Sequence, residues 1–386
     1  GVYITDQEGN IIQHINKQKG LLNNTILSMH YSPSGKLWLG MDFGLAAIDL
    51  WSDMTYYLDE QGQVGTGQIG LIHNDIFYLG TNQGLYYTDW EALDNDATSP
   101  EFRLVPGSSG QVWALSVIKD QLLCGHNRGL FQVSPNRFHQ LHDEAGVLTI
   151  SPLGDQHLLT GNYNGISLFQ QVNNTWEFTK KIPPVQGACN QILPQGTSSL
   201  WLNLPNFGVI KATLDADFTI TEQRIFSSTD FVGTLPQLYQ EGNQLNLETE
   251  VATYQYQAKD DSFLLTQHLM PAHQVINKLA GIYRPVPLTD KYGFLPVSNG
   301  FALKNVGYNG LPPLIPPLAI RSVEAFNNDS TRLIGPGAEV PHRLNNIRIY
   351  FIVPHQEQVR YQYHLENHKG GWSDWSPIVR RSKTTD

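Results

Sequence analysis

The sequence predicts an all-β chain: a propeller of about seven four-stranded blades, then a small antiparallel, immunoglobulin-like β-sandwich cut short at its C-terminal end. Three observations carry this. A strand–turn–strand pattern recurs along the first three quarters of the chain. No long stretch places apolar residues at helical spacing. A proline-rich break then separates the repeats from a last group of strand-like runs. The composition agrees: of 386 residues, 40% are hydrophobic and 16% charged, with 34 Gly, 22 Pro, 17 Tyr, 16 Phe and 8 Trp. That mixture suits short strands joined by tight turns and excludes a disordered chain.

The clearest copy of the repeat runs Ile26-Leu27-Ser28-Met29-His30, a turn at Pro33-Ser34-Gly35, Leu37-Trp38-Leu39-Gly40, then Gly44-Leu45-Ala46-Ala47-Ile48. Further copies centre on Phe77–Gly80, Leu122–Gly125, Leu158–Gly161, Leu200–Leu202, Leu245–Leu247 and Gly293–Leu295. A second glycine follows at 44, 84, 129, 165, 208 and 300, a spacing of about 43 residues per copy, the length of one propeller blade. A four-stranded sheet cannot bury both its faces alone. Radial packing buries them and leaves only short edges. The second glycine lets the backbone take a positive φ where the second strand reverses into the third.

The propeller is expected over 1–308. Residues 1–16 read as a third and a fourth strand with no partners before them. They either close the ring, completing the blade that ends near Asn305, or end a preceding propeller. Leu311-Pro312-Pro313-Leu314-Ile315-Pro316-Pro317 is a stiff linker, and 309–386 form the sandwich.

Net charge is −10. With no Lys/Arg cluster, this disfavours a nucleic-acid or anionic-membrane surface. The two cysteines form no disulfide framework, and Cys124 in Leu122-Leu123-Cys124 reads as a small buried hydrophobe. No stretch of about 20 apolar residues appears. No metal or cofactor is expected. His139 and His142 sit on what reads as a solvated outer strand, and no Ser/His/Asp set can be assembled.

Candidate binding residues lie on the loops between second and third strands and on the links from outer to next inner strand. In a propeller these share one face. They are Trp113, His126, Asn127, Arg128, Tyr163, Asn164, Asn190 and Phe207. Amides pair with hydroxyls and ring faces offer apolar platforms, which suits a neutral polar ligand such as an oligosaccharide. In the tail, Tyr361, Tyr363, Trp372 and Trp375 are candidate sandwich-core residues or domain and dimer contacts.

Gly20-Leu21-Leu22-Asn23-Asn24-Thr25-Ile26-Leu27-Ser28-Met29, with Gly35-Lys36-Leu37-Trp38-Leu39-Gly40 and Gly44-Leu45, resembles the regulator-propeller repeat of bacterial two-component sensors. Pro316–Ile320, Asn345–Phe351 and Arg360–Glu366 leading to Gly371-Trp372 resemble the three-tyrosine domain that follows such propellers. The resemblance implies a periplasmic sensor region, anchored by a membrane helix outside this chain. It implies a histidine kinase or transcription-regulator output, also outside the chain, often reporting oligosaccharides. A homodimer is expected, with no catalysis in this region. Two alternatives remain: a protein-binding propeller scaffold, and a sialidase-like glycosidase. The latter is suggested by Ser32-Pro33-Ser34-Gly35-Lys36-Leu37-Trp38, which lacks the aspartate of an Asp-box turn.

Overall fold

A computed structural model describes residues 1–32, 35–50, 52–59, 61–94, 100–183, 185–205, 207–269, 279, 281–307, 319–344, 346–352, 360–361 and 376–377. The chain divides into one unit of residues 1–30 and 37–310 and another of 31–36 and 311–386.

The seven sequence copies give seven sheets. Six are four-stranded. The first blade comprises Gly67–His73, Ile76–Thr81, Leu85–Asp89 and Arg103–Leu104, and the second Val112–Ile118, Gln121–His126, Gly129–Ser134 and Arg137–His142. The third comprises Thr149–Leu153, His157–Asn162, Gly165–Val172 and Thr175–Ile182, and the fourth Gln191–Gln195, Ser199–Leu204, Gly208–Leu214 and Ile220–Ser227. The fifth comprises Gln237–Glu241, Gln244–Glu248, Ala252–Gln257 and Ser262–His268. In the sixth, Val286–Pro287, Tyr292–Val297 and Gly300–Asn305 are completed by Met54–Leu58 from far upstream, with Gly300 opposite Leu58 and Leu303 opposite Thr55.

Five of the six seams between described blades hold an apolar cluster. Tyr78, Leu85, Val112 and Cys124 join the first and second blades. Leu123, Val147, Leu158 and Phe169 join the second and third. Leu159, Ile166, Cys189 and Leu202 join the third and fourth, and Trp201, Val209, Leu238 and Leu247 the fourth and fifth. The sixth blade packs directly on the first through Tyr57, Phe77, Phe294 and Phe301. The fifth–sixth seam is instead polar. Arg284 binds Glu241 and Glu248 at 2.7 Å each and lies 3.5 Å over the Tyr239 ring. The Tyr283 hydroxyl donates to the Thr234 carbonyl at 2.8 Å.

This succession leaves no place for the copy at Ile26–Tyr31, Lys36–Met41 and Leu45–Asp49, whose sheet has three strands. Of the two readings of residues 1–16, closure of this ring does not hold, because the outer strand of the sixth blade is Met54–Leu58. Val2–Thr5 pairs with Ile11–Ile15 and, among the described residues, with no other strand, and that pair packs through Val2 and Ile15 on Leu39 and Met41. The reason is local supply. Met54–Leu58 would be the fourth strand of the 26–49 sheet, but it completes the sixth blade. Leu45 is consequently 72% exposed, whereas its counterparts Leu85, Leu130, Ile166, Val209 and Ala252 are at most 1% exposed.

The recurring second glycine has positive φ at Gly44, Gly129, Gly165, Gly208 and Gly300. Gly84 is the exception, and space explains it: a Cβ there would come within 2.6 Å of the Leu104 side chain. Both cysteines are buried, and burial pushes the Cys189 thiol up to about 12. The tail unit shows Ala319–Phe326 between Thr331–Ile334 and Asn346–Ile352, and a short pair, Arg360–Tyr361 with Ser376–Pro377. Tyr363, Trp372 and Trp375 lie outside the described residues.

Two changes test the closure. Tyr57 stacks on Phe301 at 4.9 Å, and its hydroxyl donates to the Leu93 carbonyl at 3.0 Å. Tyr57→Ala should therefore cost about 3 kcal/mol in denaturant unfolding. Deleting residues 1–50 should leave one cooperative melting transition. Deleting 1–58 should lower its midpoint markedly, because the sixth blade then loses its outer strand.

Candidate functional site

Loops between second and third strands share one end of the blades with the links into the inner strands. The backbone ties them together: Asn82 N–H donates to the Thr66 carbonyl at 3.2 Å, and Asn127 N–H to the Gln111 carbonyl at 2.9 Å. Under one residue of each of these loops the link carries a glycine. In the third blade Gly146 has φ +72, and a Cβ there would collide with the Tyr163 ring. In the fourth, Gly187 lies under the Phe207 ring, where a Cβ would meet it at 2.9 Å. This second glycine series was legible in the sequence as Gly65, Gly110, Gly146 and Gly187, but it needed the fold to give it a role.

The consequence is a raised aromatic at the same place in two successive blades. Tyr163 and Phe207 are both well exposed. Trp113, at a bulge opening the second blade's inner strand, donates its Nε1–H to the Tyr163 hydroxyl at 3.1 Å. Trp113 and Tyr163 thus bridge two blades. Asn127 joins them, since its carbonyl accepts the Gly146 N–H at 3.1 Å beneath Tyr163. Arg128 is turned outward and down. Its Nη2 donates to the Gly107 carbonyl at 2.6 Å, and its guanidinium lies 5.5 Å from the Phe131 centroid.

Three of the sequence-chosen residues do other things. His126 is fully buried, edge-on to Phe131 and Phe138. Its Nδ1 accepts the Arg128 N–H at 3.1 Å, and its Nε2 faces the Ser108 carbonyl at 3.2 Å. A carbonyl only accepts, so the proton sits on Nε2. Burial, with the Arg128 charge adding to it, pulls the pKa down to about 4. His126 is thus a neutral core residue out of a ligand's reach. Asn190 is half-buried where the chain turns into the fourth blade's inner strand, and its N–H donates to the Asn203 carbonyl at 3.1 Å. Asn164 borders a small outer hollow of about 190 Å³ beside Lys181 and Pro183.

Sequence reasoning missed the cross-blade glutamine. Gln191 Nε2 donates to the Leu238 carbonyl at 3.2 Å, and its Oε1 accepts the Leu238 N–H at 2.9 Å and an Asn203 N–H at 3.1 Å. A side chain thereby extends one blade's hydrogen bonding to the next. Nothing in a lone glutamine signals this. Among the described residues no three His, Cys, Asp or Glu converge as a metal site, and His142 stacks flat on Phe178 at 4.2 Å.

The His126 environment predicts a pH effect. The folded-state pKa lies below the ordinary 6.5, so the unfolded chain binds the proton first as pH falls. Stability should drop between pH 6.5 and about 4, by at most ~1.4 kcal/mol per unit. His126→Gln should flatten that part of the melting-temperature profile. An unchanged slope would contradict a buried neutral ring.

No family model matches the chain, and no curated protein matches it. Among solved structures, it is similar to the extracellular domain of BT4673 of B. thetaiotaomicron, a proposed one-component system. That match has 15% identity and a TM-score of 0.50, over 96% of this chain and 60% of that one. It is also similar to the extracellular domain of BT3049 of the same organism, a proposed hybrid two-component system. There the identity is 16% and the TM-score 0.46, over 97% of this chain and 54% of that one. This chain therefore spans about three fifths of the length of the first, and at such identity the likeness is one of fold. No described helix is long and apolar enough to cross a membrane.

Proposed function

We propose that this chain is an extracytoplasmic sensing module of a membrane-anchored bacterial signalling receptor. Its ligand is a neutral oligosaccharide that the chain binds without cleaving. The observation that carries this is the Trp113–Tyr163 pair, a bridge from a half-buried indole on the second blade to an exposed phenol on the third, with Phe207 raised one blade further on. Ring faces take the apolar faces of pyranoses, and nearby amides and hydroxyls take their hydroxyls. The sequence resemblance to two-component sensors supports the same reading.

Signalling would then be a population shift. A ligand touching both Trp113 and Tyr163 favours one spacing of that seam, and the bias passes on through the ring to the tail and to a homodimeric receptor. Output domains, membrane anchor and periplasmic placement belong to this proposal. So does the assignment of residues 1–50 to a propeller other than the six-blade succession, which the exposed Leu45 face supports.

Thermal-shift screening against neutral oligosaccharides, with calorimetry on hits, tests this. Trp113→Ala should weaken a hit about tenfold, the loss of one ring platform at ~1.4 kcal/mol. Tyr163→Phe should cost less, since only the bridge to Trp113 is lost. Cleavage of the sugar during incubation would replace this reading with an enzymatic one.

A further inference from the structure

A groove of about 470 Å³ opens between the third and fourth blades. It lies at the end opposite Trp113 and Tyr163. Its floor includes the turn Gly154–Gln156, which joins the inner and second strands of the third blade, whereas Tyr163 sits on the loop at the other end of that second strand. The volume falls within the ~300–1,000 Å³ of small-ligand sites.

One wall is formed by a turn longer than its counterparts in the two preceding blades. Five residues, Asp215–Thr219, connect the third and fourth strands of the fourth blade, against two at Pro135-Asn136 and Asn173-Asn174 in the blades before it. The turn is heavily braced. Asp215 Oδ1 accepts the N–H groups of Asp217 at 3.0 Å and Thr219 at 2.8 Å. Phe218 N–H donates to the Asp215 carbonyl at 3.1 Å. From the third blade, Lys180 Nζ donates to the Asp217 carbonyl and to Thr219 Oγ1.

This bracing holds Phe218 at φ +55, a region that bulky side chains avoid and that persists only where the surroundings impose it. Part of the ring packs on the apolar cluster between the third and fourth blades, and part lines the groove. The strain buys the position of one ring, set 4.6 Å from His157 at a 50° tilt. Around that ring stand Asp155, Gln156, Thr197 and Ser198, all exposed and with no side-chain hydrogen bond to a described residue. The lining has no lysine or arginine, and Asp155 and Asp215 would repel an anion.

We propose that this groove is a second saccharide subsite, in which a neutral sugar lays its apolar face on Phe218 and its hydroxyls on Asp155, Gln156, Thr197 and Ser198. The ligand class rests on the sensing reading above, but the location does not.

The test uses the 386-residue chain with neutral gluco- and xylo-oligosaccharides of two to six units, followed by calorimetry and by backbone amide shifts of Gly154 and Ser198. Wild type should shift these amides on titration. Phe218→Gly should weaken that binding at least tenfold; glycine tolerates the turn's φ but loses the ring's packing on the third–fourth core, so binding is measured well below the variant's own melting transition. Asp155→Asn should weaken it less, and Trp113→Ala should leave it intact. Unchanged groove binding in both Phe218→Gly and Asp155→Asn would overturn the subsite. If Trp113→Ala alone abolishes all binding, the opposite end is the site and this proposal falls. If Phe218→Gly alone abolishes it, the groove stands and the Trp113 reading falls. Silence of the wild type across the panel overturns both.

Discussion

Blade spacing rests on a few glycines that end second strands. A Cβ at Gly80 would come within 2.5 Å of Val112, and one at Gly125 within 2.5 Å of the Val147 carbonyl oxygen. One at Gly161 would strike the Cys189 carbonyl. In each case the obstacle is the segment opening the next blade. The missing side chain is therefore what lets one sheet seat against the following one, and the apolar clusters of the seams can close only at that distance. The homologous Gly40 faces Ser28 of its own sheet instead, in keeping with a sheet on which no following blade is packed.

Apolar seams of this kind are interchangeable in chemistry, and their strength lies in area rather than direction. The fifth–sixth seam is different. There Arg284 spans to Glu241 and Glu248, burial raises the pKa of Tyr239, and the Glu250 carboxylate accepts the Thr234 N–H. Charged pairs that are partly exposed hold geometry more than they add free energy. The succession is thus locked mainly elsewhere, where Met54–Leu58 joins the sixth blade and Tyr57 lies between Phe301 and Leu93.

The repeat made most of this legible. The Leu-Gly pairs and the second glycines mark strand ends, and the strands fall where those marks place them, because period-2 apolarity and turn glycines are local signals. What the sequence could not show is which sheet a strand joins. Met54-Thr55-Tyr56-Tyr57-Leu58 reads as the outer strand of the copy before it, and only the partner at Gly300–Asn305, more than two hundred residues on, decides otherwise. The site was half legible for the same reason. Trp113, Asn127 and Tyr163 do come together, since loops at one end of successive blades must. His126 did not, because one residue's step along a strand turns a side chain from the loop into the core.

The third blade belongs to both candidate surfaces. Its second strand, His157–Asn162, has His157 against Phe218 at one end and leads into Tyr163 at the other. From Leu158 to Asn162 it is buried throughout, and at ~3.4 Å per residue it spans roughly 20 Å. Such a strand cannot bend to absorb a shift at one end, because its neighbours on both faces are close-packed. A ligand that drew Phe218 toward His157 would act on the third–fourth seam, and one that clasped Trp113 and Tyr163 would act on the second–third. Both would move the same rigid sheet. Reciprocity of binding free energies then requires that, if either ligand changes the affinity for the other, the change is equal in both directions.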